Sequence, residues 1–119
     1  MAPKIKLGEV LGYNPQKLRI GMQTGQTEVV VLQQQISLSE SNLQTWRQYR
    51  RNGTYEVEDC DDRITKETKH VETLQAQIER KKRQITQYRD YLDIIQANAG
   101  GPEALQRKLE EIQNRESVS

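Results

Sequence analysis

A seven-residue step constrains this chain more than any other feature. Starting at Val29 it lands on Ile36, Leu43, Arg50, Val57, Ile64, Val71, Ile78, Ile85 and Leu92, and nine of these ten positions are apolar. The companion positions three residues later are Leu32, Ser39, Trp46, Gly53, Cys60, Glu67, Leu74, Lys81, Tyr88 and Ile95, a row that is half polar. Polar residues flank both rows: Asp61, Thr68, Gln75, Lys82 and Arg89 on one side, Arg63, His70, Gln77 and Gln84 on the other. A narrow apolar stripe at a 3.5-residue period marks a coiled-coil seam and not a helix buried on all sides.

Composition agrees with that reading. Only 34% of the 119 residues are hydrophobic and there is no Phe, so the chain can bury little for its length. Charged residues make up 29%, but 18 Lys and Arg nearly cancel 17 Asp and Glu, which leaves no global field to draw the chain onto nucleic acid or an anionic membrane. Abundant Gln, with Glu, Lys, Arg and Leu, suits long exposed helices.

The seam crosses one contested stretch, Arg47 to Asp59, RQYRRNGTYEVED. Gly53 costs about 1 kcal/mol inside a helix relative to Ala, and Asn52, Thr54, Tyr55 and Val57 add smaller penalties. Arg47, Arg50 and Arg51 stand where a helix C-terminus favours cations, whereas Glu56, Glu58, Asp59, Asp61 and Asp62 stand where an N-terminus favours anions. Gly53 suits the left-handed position after a helix, and Thr54 suits an N-cap. The expectation is therefore a helical hairpin, an antiparallel coiled coil with its turn near residues 51–55. Folding about Gly53 pairs Trp46 with Cys60, Leu43 with Ile64, Ile36 with Val71, Leu32 with Leu74 and Val29 with Ile78. A chain running straight through Gly53 would instead offer its seam to another molecule.

Three segments follow. Residues 1–28 hold alternating patterns at Lys4-Ile5-Lys6-Leu7 and Lys17-Leu18-Arg19-Ile20-Gly21-Met22 around an Asn14-Pro15 turn signal, which predicts a β-prone arm. Ile5, Leu7, Leu18, Ile20 and Met22 are too few to stabilise a two-stranded ribbon alone, so they are assigned to docking on a partner, with Tyr91 as a further anchor. Residues 29–97 form the coiled-coil region. Residues 98–119 begin with a Gly100-Gly101-Pro102 turn, and a short amphipathic helix carrying Leu105, Leu109 and Ile112 then leads to a frayed tail. Folding about Gly100 would bring those three residues to Ile95, Leu92 and Tyr88, on the same seam.

Catalytic and cofactor chemistry finds little footing. Gly21 to Thr27 falls one residue short of a phosphate-binding loop and has Gln26 where the lysine should be, so it reads better as a joint between arm and helix. The carboxylates of Glu58 to Asp62 lack calcium-loop spacing and read as an acidic helix start. His70 and Cys60 are each single, which removes His-pair and multi-cysteine metal sites and an intrachain disulfide; Cys60 reads as a small packing residue. Asn52-Gly53-Thr54 fits the glycosylation pattern, but residues 1–16 contain no continuous apolar run of signal-peptide length, so the chain is expected not to be secreted by the general route and Asn52 not to carry a sugar. The basic run Arg80-Lys81-Lys82-Arg83 has no interleaved aromatics and reads first as a solvated helix surface.

These features predict a non-enzymatic, mainly α protein with no cofactor and no membrane span, located in the cytoplasm or within a virus particle. It is expected to act as a structural or adaptor subunit of a larger assembly, such as a virus particle or a secretion or cytoskeletal machine. It would bind protein partners through the arm and self-associate through the seam residues Leu32, Ile36, Leu43, Trp46, Val57, Ile64, Val71, Leu74, Ile78, Ile85, Tyr88, Leu92 and Ile95. The alternative is a small nucleic-acid-binding or regulatory factor that grips phosphate through Arg80, Lys82 and Arg83.

Overall fold

The computed structural model describes residues 5–118. Among these it contains four helices and no strand: α1 (Leu7–Leu11), α2 (Pro15–Asn52), α3 (Val57–Ala99) and α4 (Pro102–Val118). The mainly α expectation holds. Contacts divide the chain into two compact units, one from residues 5–25 and 83–118, the other from residues 26–82. Helices α2 and α3 contribute to both.

The start of α2 corrects the β-prone reading. The side-chain Oδ1 of Asn14 accepts hydrogen bonds from the backbone N–H groups of Gln16 at 2.8 Å and Lys17 at 3.4 Å, and Pro15 takes the first helical position, where its missing N–H costs nothing. Asn14-Pro15 thus starts a helix instead of turning between strands. The alternation of residues 17–22 also satisfies a helical period, because Leu18, Met22, Gly25 and Val29 recur every three or four residues, and Leu18 and Val29 are 7% and 8% exposed. With the cap in place the helical period wins, and α2 runs through the expected boundary at residue 28. Leu7 lies in α1; Lys4, the first residue of the other alternating stretch, is outside the described residues.

In the unit of residues 5–25 and 83–118, two glycines let α2 approach α3. A Cβ on Gly21 would lie 2.8 Å from Cε2 of Tyr88, and one on Gly25 would lie 2.9 Å from Cγ1 of Ile85. Each glycine weakens the helix by about 1 kcal/mol relative to Ala, which close packing must offset. The segment Gly21 to Thr27 is therefore neither a joint nor a loop: it lies inside a continuous helix. Val10 of α1, Ile94 of α3 and Ile112 of α4 form the buried centre of this unit, with Ile5, Leu7, Tyr91, Ile95, Leu105 and Leu109 packed around it. Pro102 opens α4 after Gly101 at φ +104°, and the Gly101 carbonyl accepts from the Leu105 N–H at 3.1 Å. Ile112 meets Ile94 and Arg115 pairs with Asp90 at 2.8 Å, so α4 packs on a second face of α3 instead of continuing the Tyr88–Leu92 seam.

In the unit of residues 26–82, α2 ends as its charges dictate. Arg50 and Arg51 occupy the last turn and Gly53 has φ +68°. The N–H of Thr54 donates to the Tyr49 carbonyl at 3.0 Å and that of Gly53 to the Arg50 carbonyl at 3.4 Å, the bond pair of a Schellman motif. Thr54 therefore completes the end of α2 and does not cap α3. The Glu56 carbonyl accepts from the Cys60 N–H at 3.1 Å, which places Glu56 at the N-cap, with Glu58 and Asp59 in the first turn.

The same connection resets the register. Asp61 lies 2.7 Å from Arg50, the Arg63 guanidinium sits 5.7 Å from the Trp46 ring centroid, and Lys81 pairs with Glu28. These partners lie three to five residues further along α3 than folding about Gly53 predicts, about one helical turn. The pivot is the middle of residues 53–56, not Gly53, so the expected Trp46–Cys60 pairing is displaced.

Candidate functional site

The arm residues assigned to docking are mostly occupied by their own chain. Ile5, Leu7 and Tyr91 pack on the Val10–Ile94–Ile112 cluster, Leu18 is buried, Met22 is half-buried, and Ile20 is 55% exposed. Tyr91 stacks at a tilt on Tyr13, with ring centroids 5.3 Å apart. Burial, followed by the Tyr13 phenol, raises the Tyr91 pKa above its ordinary value, and a hydrogen bond with Gln87 opposes the rise.

The seam residues are positioned by their helices as their spacing requires, with one exception. Leu43, Val71, Leu74, Ile78 and Leu92 are buried, and Leu32, Ile36, Trp46, Ile64, Ile85, Tyr88 and Ile95 are half-buried. Val57 is 48% exposed because it is the first residue of α3, where the connection diverges from the seam. Ser39 and Cys60 are buried in the unit of residues 26–82, and Lys81, a polar seam position, meets Glu28. Glu40, Arg47 and Glu72 line a groove whose apolar floor includes Leu43 and Val71.

The charged candidates are distributed over exposed surface. Arg80 and Lys82 are exposed in the unit of residues 26–82, and Arg83 is exposed in the other. Asp61 pairs with Arg50 and Asp62 with Lys66 at 3.0 Å; the first pair raises the Arg50 pKa, chiefly through its hydrogen bond. His70 is exposed. Among the described residues no helix is long and apolar enough to cross a membrane.

Two surface features went unpredicted. Trp46, Tyr49 and Tyr55 gather beside the α2–α3 connection with ring centroids 5.4 to 5.7 Å apart, and Arg63 covers Trp46. The i, i+3 spacing of Trp46 and Tyr49 was the available signal.

The second feature is a further row on α2. Thr27, Val31, Gln34, Leu38, Ser41, Thr45 and Gln48 follow alternating steps of four and three, and all are exposed. That alternation is the spacing of a coiled-coil seam. Val30, 51% exposed, flanks the row, in which Val31 is 45% and Leu38 65% exposed. Adding the flanking Val30, Ser37 and Gln44 gives ten outward positions with no charge, whereas the corresponding positions of α3 from Glu58 to Arg80 carry eight charges in eleven. The outer faces of the two helices therefore differ in kind: one is solvated by charge, the other is not.

No protein-family model, curated protein or solved structure matches the chain.

Proposed function

We propose that the chain is a non-enzymatic, coiled-coil structural or adaptor subunit of a larger protein assembly, with α2 and α3 acting as an antiparallel helical hairpin. One observation carries the reading. In residues 26–82, burial follows the seven-residue seam in both helices, while Val30, Val31 and Leu38 on the outer side of α2 stay 45% to 65% exposed. A helix with one apolar row buried and three further apolar side chains open on an uncharged face is suited to contact further protein. Because Ile5, Leu7 and Tyr91 pack within their own unit, the contact with neighbours is assigned to the α2 surface and not to the arm.

The test is the mass of the full chain in solution across a wide concentration range. Association is the expected result, and a monomer throughout would overturn the reading. The exposed Arg80, Lys82 and Arg83 support the nucleic-acid alternative. That alternative requires binding to generic RNA or DNA that weakens steeply with salt and is lost when the three are neutralised.

A further inference from the structure

The uncharged outer row of α2 has one partner chemistry that it fits better than any other. A helix face that presents Thr, Val, Gln, Leu and Ser without a carboxylate or ammonium cannot compensate charges on a surface docked against it. A charged partner would lose hydration there with nothing returned. The outer face of α3, with Glu58, Asp59, Lys66 and Glu72 among its residues, is such a charged surface, so it is a poor match even from a second copy.

The row is self-complementary in one particular alignment. In a parallel, in-register pair each side chain meets its own copy, so any charge in the contact would oppose itself. From Thr27 to Gln48 the row contains none. Of the flanking positions, Val30, Ser37 and Gln44 on one side and Gln35 and Asn42 on the other are uncharged, while Glu28, the one carboxylate beside the row, is paired with Lys81 of its own chain. Self-pairing sets Val31 on Val31 and Leu38 on Leu38, and Gln34 meets Gln34, an amide that both donates and accepts. An antiparallel pairing would instead press Leu38 against Gln34 and Val31 against Ser41. A polar layer between two apolar ones, as Gln34 stands between Val31 and Leu38, is also a way in which parallel coiled coils fix register, at a cost in stability.

We propose that the Thr27–Gln48 row of α2 is a homodimer seam, packed parallel and in register against the same row of a second copy of this chain. This rests on the assembly reading above and specifies its surface. The contact is about 33 Å long at 1.5 Å per residue, and several of its layers are polar, so the dimer should dissociate on dilution.

The experiment uses the full chain. Sedimentation equilibrium should show a concentration-dependent dimer. Val31→Glu and Leu38→Glu, each placing a charge against itself, should give monomers with unchanged helicity by circular dichroism, since both sites are exposed. Mixing Val31→Glu with Val31→Lys chains should restore the dimer. Under mild oxidation Thr27→Cys and Ser41→Cys should each form a disulfide-linked dimer, because only a parallel pair brings both sites within the roughly 7 Å Cα separation that a disulfide spans. Cys60, buried in the wild-type chain, should not cross-link. A wild-type dimer that survives Leu38→Glu, or that lacks either cross-link, overturns the seam but leaves the assembly reading standing. A wild-type monomer at every concentration overturns both.

Discussion

The two units solve the same burial problem with different amounts of chain. Around residues 83–99, α3 is packed by α2 through Gly21 and Gly25 and also by α1 and α4, so Ile94 reaches 0% exposure although it lies off the seven-residue seam. In residues 26–82 only α2 and α3 are present, and each buries a single stripe. The residues just off that stripe remain in solvent whatever their chemistry, Leu38 at 65% as much as the charged positions of α3. Burial here depends on how many helices reach a face, and hydrophobicity alone does not secure it.

The sharpest way to break the comparison is to truncate one apolar side chain in each unit. Ile94→Ala should lower the stability of the full chain by about 2–5 kcal/mol, the range for a buried aliphatic that leaves a cavity. Leu38→Ala in dilute protein should stay within about 0.5 kcal/mol. Urea denaturation followed by circular dichroism reads both. Equal losses would mean that Leu38 is covered or that Ile94 is not.

A second, smaller contrast lies among glycines of one unit. The Cβ of Gly25→Ala would sit 2.9 Å from Cγ1 of Ile85, whereas at Gly8 in α1 an added Cβ meets nothing within 4 Å. Overpacking of this kind costs about 1–3 kcal/mol, and the helix propensity gained returns about 1 kcal/mol of it. Gly25→Ala should therefore destabilise by up to about 2 kcal/mol, while Gly8→Ala should raise stability by up to about 1 kcal/mol. A thermal melt of each variant decides the matter. Stabilisation by both would show that α2 and α3 do not approach closely at Gly25.

The sequence made local features legible and left non-local ones hidden. The seam positions Leu43, Val71, Leu74 and Ile78 are buried as their spacing requires, because a seven-residue repeat is a property of one helix and needs no knowledge of its neighbours. The end of α2 was legible for the same reason: Arg50, Arg51 and Gly53 are signals that act within a turn. Residues 17–22 misled because Leu18 and Met22 fit a period of 3.6 as well as Leu18, Ile20 and Met22 fit a period of two. The side chain that decides between them, Asn14, lies outside the pattern and caps the helix. The pairing register was out by a turn because it depends on which residue of 53–56 is the pivot. Ile94 could not be read at all, since its burial is created by Val10 and Ile112, which are remote in sequence. The spacing of the uncharged row from Thr27 to Gln48 is local and legible, but its exposure is not, because that depends on how many helices cover α2.

The smallest expected effect separates the two ways in which a glycine can be required. At Gly25 the constraint is space; at Gly53 it is conformation, because φ is +68° and an added Cβ would meet nothing within 4 Å. A left-handed backbone costs an ordinary L-residue about 1–2 kcal/mol, less the unfolded-state entropy that replacing glycine removes. Gly53→Ala should therefore lose about 1 kcal/mol, and Gly53→Asn should lose less, since asparagine tolerates this conformation. At Gly25 the order should reverse, with asparagine, the larger residue, costing more than alanine. Comparing the four variants by urea denaturation sets steric against conformational demand. If alanine and asparagine ranked the same way at both sites, Gly53 would not hold the left-handed turn on which the register of α2 and α3 in residues 26–82 depends.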